Sequence, residues 1–326
     1  MTPCRAVLST LLVAMSLLAS YPAEAPASNL PKVKVHLSWF ANPGHAPVLV
    51  AEAKGFYKAA GVELTWSPGN GSFEAVQVVG SGAAQFGIAD ATTMAKGIAE
   101  GIPVMAVAMF FQTTPAAIIA RPDIKAPKDL EGKKLATVST TSTHKLLPAF
   151  AKATHIDLNK IEVIAASVST QKPMFLSGQV DALDGYANGE WIEVLGAGKK
   201  ASLLRWSDYG FNMYGNTLIV NKSYAAANPG VVRKVVQATI KGLEYALAHP
   251  QETVAIVKRS SALSVAVLSA QWKETATLMK NQDTTKFGLG WMTSEGWRNL
   301  QALNRQYGGQ TREIPLEQLF TTAFLK

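Results

Sequence analysis

Residues 32–57 read KVKVHLSWFANPGHAPVLVAEAKGFY. The first eight of them alternate between apolar and polar side chains, which is the pattern of a half-buried β-strand. Asn42-Pro43-Gly44 then has the composition of a tight turn, and the residues from Ala46 onward have the pattern of a helix. The stretch therefore predicts a strand, a turn and a helix, which is the first unit of an α/β sheet.

The same alternation continues along the first 110 residues. Strands are predicted at 32–39, 62–67, 86–89 and 104–110. Helices are predicted between them at 46–60, 73–80 and 92–100. This βαβαβαβ order is typical of a mostly parallel sheet covered by helices on both faces.

A second α/β run follows a proline-containing polar boundary that includes Pro122 and Pro127. Extended segments at 116–120 and 215–224 enclose this run, and the residues after 229 have helical patterns. The order predicts a bilobal α/β protein in which two strands form the hinge and the C-terminal helices return to the first lobe. We assign 28–120 and 217–326 to lobe 1 and the inserted residues 121–216 to lobe 2.

The N-terminus has the pattern of a secretory signal peptide. Arg5 precedes an apolar core at 7–18, which is too short to span a bilayer, and small residues follow it. Ala25-Pro26-Ala27 is the preferred cleavage site, so the signal peptide would be 1–27; a buried N-terminal helix is the alternative. Cys4 is the only cysteine, so the exported chain would be held together by its core rather than by disulfides.

Charge and composition exclude some partners. The net charge is +8, and removal of one arginine and one glutamate with the signal peptide leaves it unchanged. The lysines and arginines are scattered and form no long basic stripe, so nucleic-acid binding is not expected. With 48% hydrophobic residues and no other apolar stretch of transmembrane length, the mature protein is expected to be a soluble monomer.

The opening turn carries three candidate ligand residues, Trp39, Asn42 and His45. Open α/β sheets bind ligands at the carboxyl ends of their strands, where this turn would lie. Trp39 could stack on a planar ligand, and Asn42 offers a donor and an acceptor. The alternative is a tryptophan that fills the core and an Asn-Pro-Gly turn kept for its shape.

Further polar residues follow other predicted strands, and they would face the same cleft between the lobes. In the first lobe they are Gly71, Ser72, Asp90 and Thr92, and in the second lobe Ser139, Thr140, Tyr186, Asn188, Glu190 and Trp191, with Tyr214 at the start of the last extended segment. A helix N-cap is the alternative role for Asp90. A carboxylate beside two aromatic residues, as in 184–191, suits a flat ligand with N–H donors.

No catalytic motif emerges from the sequence. None of the five histidines has metal-ligand spacing to another histidine or to a cysteine. A nucleophile elbow and a phosphate-binding lysine loop are both missing from the sequence. The sequence therefore predicts neither an enzyme nor a bound cofactor or metal.

Several motifs together resemble a known family. HLSWFANPGHAPVLVAEAKGFYKAAGVELTWSPGNGS, GAAQFGIADATT, DLEGKKLAT, LSGQVDALDGYANGEW and YGNTLIVN occur in this order. They resemble periplasmic substrate-binding proteins of ABC transporters, in the branch related to thiamine-pyrimidine synthases and to alkanesulfonate, taurine and nitrate binders. The resemblance implies the type II fold of these receptors, with a ligand bound between two lobes.

The resemblance also implies a function. The chain would be a periplasmic receptor that delivers its ligand to an ABC permease in the inner membrane. By similarity to relatives that bind thiamine pyrimidines or flavins, Trp39 and Tyr186 would flank a heterocycle and Glu190 would accept from its ring amine. An anion receptor of the alkanesulfonate, taurine or nitrate kind is the alternative, and an exported enzyme similar to the pyrimidine synthases is a second one.

Overall fold

Two five-stranded sheets organise the molecule, a computed structural model that describes residues 30–306 and 310–326. The signal-peptide prediction lies outside these residues. The strands are β1 (Lys32–His36), β2 (Glu63–Ser67), β3 (Phe86–Asp90), β4 (Val104–Met109), β5 (Ala116–Ala120), β6 (Lys134–Thr137), β7 (Glu162–Ala165), β8 (Ala182–Tyr186), β9 (Ser202–Arg205) and β10 (Asn216–Asn221).

Helices cover both sheets and make up most of the C-terminal part. They are α1 (Ala46–Ala53), α2 (Phe56–Ala59), α3 (Ser72–Gly80), α4 (Ala91–Ala99), α5 (Ser142–Ala153), α6 (Gln171–Leu176), α7 (Ile192–Gly196), α8 (Lys222–Ala227), α9 (Pro229–Ala248), α10 (Pro250–Lys258), α11 (Val265–Leu278), α12 (Gln282–Phe287), α13 (Ser294–Gln306) and α14 (Leu316–Leu319). None of the helices within 30–306 and 310–326 has the length and apolarity that a membrane span requires.

The two sheets have the same topology. The first has the order β2-β1-β3-β10-β4, and the second has the order β7-β6-β8-β5-β9. In each sheet the first three strands are parallel, and the fourth is antiparallel to both of its neighbours. The predicted α/β class is therefore confirmed, and β9, which was not predicted, completes the second sheet.

The chain passes between the sheets twice, through residues 110–115 and 206–215. The first sheet takes strands from both ends of the chain, whereas the second takes all of its strands from 116–205. β5 was assigned to lobe 1 but belongs to the second sheet, so the change of sheet precedes residue 116. The lobe boundaries themselves remain a prediction.

One apolar cluster joins the two sheets. It includes Val76 and Met94 from helices on the first sheet and Leu146 and Phe150 from α5 on the second. Phe150 stacks on Trp206 at a centroid distance of 4.8 Å, in the second of the two connections. Buried apolar side chains thus fill the region beside the connections, whereas the polar residues described below face each other across a cleft.

Some predicted elements have different bounds. The strand predicted to end at Trp39 ends at His36, so Trp39 lies in the loop after it. The helix predicted at 46–60 is two helices, because Gly55 adopts a left-handed conformation with φ 71°. Within the helical pattern predicted after residue 229, α11 ends at Leu278, and the separate helix α12 begins at Gln282.

Candidate functional site

A cavity of about 530 Å³ lies between the carboxyl ends of strands from both sheets. The loops after β1 and β2 form one wall, and the loops after β6, β7 and β8 form the opposite wall. Residues 260–263 and Gln271 from the C-terminal helices also line it. Its volume is in the range of small-molecule sites, and its place is the one expected for open α/β sheets.

The loop after β1 provides the aromatic part of the first wall. Trp39 is half-buried, and Phe40 is 54% exposed at an edge-on centroid distance of 6.2 Å from it. Asn42 lines the cavity, but its side chain accepts a hydrogen bond from Gly44 N (2.8 Å) and donates one to Phe40 O (3.0 Å). Asn42 therefore holds the shape of the turn, whereas Trp39 keeps its ring available to a ligand.

His45 is a neutral residue of the same wall. Its side chain is buried, and its Nε2 lies 3.2 Å from Ser38 Oγ. Burial lowers the pKa of His45 to about 3, an effect that the Phe40 backbone opposes. The imidazole therefore contributes shape and a hydrogen-bonding group to the site at neutral pH, but no positive charge.

The loop after β8 forms the facing wall, and it begins with a π-helical turn at Ala187–Trp191. Wide turns of this kind occur often at functional sites. Glu190 folds back over the end of β8, where its Oε2 accepts a hydrogen bond from Tyr186 N (2.8 Å). Gly185 makes room for this arrangement, because a Cβ there would lie 2.8 Å from Glu190 Oε2.

Two carboxyl groups in this wall have raised pKa values. Burial, followed by the charge of Glu193, raises the pKa of Glu190 to about 7. Burial raises the pKa of Asp184 to about 6, against the effect of hydrogen bonds from Thr143, Gln171 and Thr141. Thr143 Oγ1 and Gln171 Nε2 donate to the Asp184 carboxylate at 2.5 Å each. Asp184 is thus satisfied by side-chain donors within the wall, whereas the hydrogen bonds to Glu190 come from the backbone N–H groups of Tyr186 and of Glu190 itself.

Tyr186 connects the two walls. Its hydroxyl lies 2.9 Å from Ser142 Oγ on the side of the second sheet. The same hydroxyl also forms hydrogen bonds with the Asp90 carboxylate and with Ser72 on the side of the first sheet. Burial, followed by the charge of Asp90, raises the pKa of Tyr186 well above its usual value. The hydroxyl therefore stays protonated, and its hydrogen bonds help to hold the walls together.

Helix α11 contacts the turns of both walls, at Pro43–His45 and at Ala187–Trp191. Thr275 Oγ1 accepts a hydrogen bond from Asn188 Nδ2 at 2.8 Å. Gln271 Nε2 donates to Glu193 Oε1 at 3.0 Å and to Gly189 O at 3.4 Å. Two acceptors thus fix the orientation of the Gln271 amide. The helix closes one side of the cavity.

The charged lining is predominantly acidic. Among the described residues, the cavity is lined by the carboxylates of Asp184, Glu190 and Glu193 and by one basic residue of fixed charge, Lys172. Lys172 Nζ is paired with Glu193 Oε2. The formal charge of the lining at neutral pH is therefore negative when the carboxyl groups are ionised. In the same ranges, no group of three or more His, Cys, Asp and Glu side chains is placed to hold a metal ion.

The cavity brings together eight of the predicted site residues, which are Trp39, Asn42, His45, Gly71, Ser72, Tyr186, Asn188 and Glu190. The other six do not line it. Ser139 is exposed, and Thr140 instead contacts the start of α3, where Phe73 N donates to Thr140 O at 3.3 Å. Both corrections follow from the turn after β6, which directs Thr141, Ser142 and Thr143 into the cavity in their place.

The remaining corrections have separate causes. Asp90 caps α4 by accepting from Thr92 N (3.0 Å) and Thr93 N (3.3 Å), and the Thr92 hydroxyl also donates to it. Trp191 packs beside the apolar cluster of the second sheet. Tyr214 is buried away from the cavity, where its hydroxyl accepts from Thr293 N at 3.0 Å.

Several lining residues escaped the sequence analysis. Asp184 was not selected as a site residue, although it lies in β8 directly before Gly185 and Tyr186. Gln171, Lys172 and Glu193 follow predicted strands or turns and could have been included by the same argument. Gln271 and residues 260–263 carried no local signal, because their place depends on the return of the C-terminal helices.

Comparison with known proteins agrees with this architecture. Residues 42–253 match the family model described as NMT1/THI5 like. The riboflavin-binding protein RibY of Chloroflexus aurantiacus is 26% identical, over 94% of this chain and 91% of the relative. The formylaminopyrimidine-binding protein of Halalkalibacterium halodurans is 22% identical, over 89% and 90%.

A solved structure extends the comparison to the fold. The alkanesulfonate-binding protein SsuA from Xanthomonas axonopodis pv. citri, bound to MOPS, has a TM-score of 0.68 at 16% identity and covers 86% of this chain and 93% of its own. At this identity the likeness concerns the fold alone. The fold of periplasmic binding proteins, expected from the sequence, is thereby confirmed.

Proposed function

Because the chain belongs to the NMT1/THI5-like family, we propose that it is a receptor for a planar nitrogen heterocycle of the pyrimidine or flavin kind. The ligand would bind in the cavity between the two sheets. Trp39 would stack on its ring from one wall, and Glu190 would accept hydrogen bonds from its N–H groups on the other. The relatives whose names include riboflavin and formylaminopyrimidine support this class of ligand.

The observation that carries the proposal is that a half-buried tryptophan, a tyrosine and a carboxylate line the same cavity. Aromatic faces bind flat rings, and a carboxylate accepts N–H donors more strongly than a neutral group does. The pKa of Glu190, about 7, also suits this role. Ring amines that become protonated, or that donate hydrogen bonds, would stabilise the ionised carboxylate.

A sulfonate or another small anion is the competing ligand, since the solved SsuA structure shares the fold. Such ligands are held by free N–H groups at helix N-termini. In α3, Phe73 N already donates to Thr140 O, and Asn70 N just before the helix donates to Glu74 Oε2 (2.5 Å). At α5, His144 N donates to the capping Thr141 Oγ1 (3.2 Å), and Thr143 Oγ1 donates to the Asp184 carboxylate (2.5 Å). Carboxylates at both helix starts favour the heterocycle over the anion.

Calorimetry with a panel of riboflavin, aminopyrimidines, alkanesulfonates and nitrate tests the proposal. Trp39→Ala should weaken heterocycle binding by about 1–3 kcal/mol, the range for stacking a base on an aromatic side chain. Trp39 is half-buried, so the variant should remain folded, with Trp39→Phe as the control that retains a ring. If the parent binds a sulfonate more tightly than any heterocycle, the proposal fails.

We further propose that the chain acts in the periplasm as a monomeric component of an ABC importer, with a permease as its partner. Sequence relatives that are named as binding proteins, and a periplasmic binding protein that shares the fold, support this role. Deleting its gene should abolish uptake of the radiolabelled ligand. The purified protein should return the ligand unchanged, whereas turnover of the ligand would support the exported enzyme instead.

A further inference from the structure

Lys172, Glu193 and Gln271 form a polar cluster in the cavity lining that the proposed recognition of the ring does not use. They come from three different helices, α6, α7 and α11. Glu193 is the central member, with one oxygen paired to Lys172 Nζ and the other accepting from Gln271 Nε2 at 3.0 Å. Both carboxylate oxygens are thus occupied.

The cluster lies in the cleft rather than on the outer surface. The side chains of Lys172 and Glu193 are 34% and 17% exposed, respectively. Both residues line the cavity, together with Gln271. An ion pair in such a partly buried place is screened less by solvent and salt than one on an open surface. A ligand group in this part of the cavity would therefore interact with it strongly.

Lys172 is the one lysine or arginine that lines the cavity within the described ranges. Anionic groups such as phosphate bind proteins through arginine, lysine or free backbone N–H groups. Here the cation is already neutralised by Glu193, and Asp184 and Glu190 add further negative charge. A phosphate would have to separate the ion pair and then lie beside an unpaired carboxylate.

We infer that Glu193, held between Lys172 and Gln271, makes the cavity select against ligands that carry a terminal phosphate or sulfonate group. This inference rests on the proposed function, because it concerns which forms of the heterocycle the receptor accepts. Discrimination by an unfavourable charge, rather than by a missing contact, is a general route to specificity. Glu193 is then a specificity-determining residue. Its negative charge neutralises Lys172, so the lysine does not attract an anionic ligand.

The test compares riboflavin with riboflavin 5′-phosphate, and an aminopyrimidine alcohol with its phosphate ester, by calorimetry. The parent should bind the unphosphorylated member of each pair at least tenfold more tightly. Glu193→Gln keeps the hydrogen bond from Gln271 and exposes the charge of Lys172. This variant should change the ratio of the two affinities in favour of the phosphorylated ligand by roughly tenfold or more. The change should be smaller at high salt, because salt screens the charge of Lys172.

Two further variants serve as controls. Glu274→Gln removes one negative charge from a pair with Arg205 (2.8 Å) that does not line the cavity, so the ratio should remain that of the parent. The double variant Lys172→Met/Glu193→Gln removes the exposed cation and should abolish the shift. Thermal melting checks that all variants are folded.

Each result has a distinct meaning. If the parent binds riboflavin and its phosphate equally, or if Glu193→Gln leaves the ratio unchanged, the selection role of Glu193 is wrong and the receptor proposal stands. If the parent binds a sulfonate more tightly than any unphosphorylated heterocycle, both proposals are wrong. An equal shift in Glu274→Gln would mean that overall charge, rather than the cluster, sets the preference.

Discussion

Glu190 combines two roles that oppose each other. Its carboxylate is the group that we propose accepts from the ligand, yet the cavity that holds it disfavours its charge and raises its pKa to about 7. An active or binding site often retains such a group although it destabilises the unliganded fold. Burial also disfavours the charge of Asp184 and raises its pKa to about 6. Asp184 is hydrogen-bonded within the wall, so this affects ligand binding less.

The raised pKa of Glu190 predicts a pH-dependent stability for the unliganded protein. Between roughly pH 4.5 and 7, the folded state binds a proton that the unfolded chain has released, so stability falls as the pH rises through this window. Glu190→Gln carries no charge and should stabilise the protein at pH 8 by about 1–3 kcal/mol. At pH 5 the difference should be small.

Chemical denaturation of both proteins at the two pH values measures this effect. The amide retains an oxygen that can accept from Tyr186 N, so the turn should keep its geometry. Heterocycle binding by the same variant should be weaker at pH 8. Equal destabilisation at both pH values would instead mean that the carboxylate mainly supports the fold.

At the scale of elements, the local sequence determined some boundaries but not others. The strand-turn-helix units around Trp39 and Glu190 were predictable, because apolar strands ended in clusters of polar and glycine residues. The break at Gly55 was missed because one glycine inside a helical pattern is usually tolerated. β9 was missed because its four residues show no clear alternation of apolar and polar side chains. Its place in the sheet depends on pairing with β5, which is distant in the sequence.

The turns before α3 and α5 contact each other across the cleft. Gly71 permits this contact because it has no Cβ. This residue has φ 134°, and a Cβ on it would lie 2.4 Å from Thr140 O. Gly71→Ala should therefore hold the two walls apart, weaken ligand binding by roughly tenfold or more, and leave a larger radius of gyration at saturating ligand.

Small-angle scattering and calorimetry on the same samples test the contact. Gly82→Ala is the matched control, because Gly82 also has a positive φ (81°) but no atom lies within 4 Å of its added Cβ. It should cost about 1–2 kcal/mol of backbone strain without changing affinity. Parent-like binding and compaction in Gly71→Ala would show that the contact does not matter for closure.

At the scale of the whole molecule, the sequence predicted the α/β class and two passages between the lobes, but it placed them at 116–120 and 215–224, which are the paired strands β5 and β10, rather than at 110–115 and 206–215. The ligand cleft at the strand ends was also predicted. These follow from periodicity and from the rule that ligands bind at strand ends. The C-terminal contribution could not be predicted, since α11 reaches the cavity only through its packing against both turns. Tyr214 was misjudged for the same reason, because its partner Thr293 is 79 residues away in the chain.

Export is the remaining prediction for the whole chain. The apolar segment after Arg5 and the small residues before Ser28 predict cleavage after Ala27. N-terminal sequencing of protein from the periplasmic fraction should begin at Ser28 or within a few residues of it. Soluble protein that still begins with Met1 would rule out a cleaved signal peptide.

The place of β10 in the first sheet has a consequence for the order of events during synthesis. β10 lies between β3 and β4 and pairs with both, although it follows them by more than 100 residues. Until Asn216–Asn221 has left the ribosome, β4 has no partner strand in this sheet, and the N-terminal part cannot complete its own core. Folding that depends on such distant pairing is slow. For the export proposed above, this delay would keep the growing chain unfolded while it is still being synthesised.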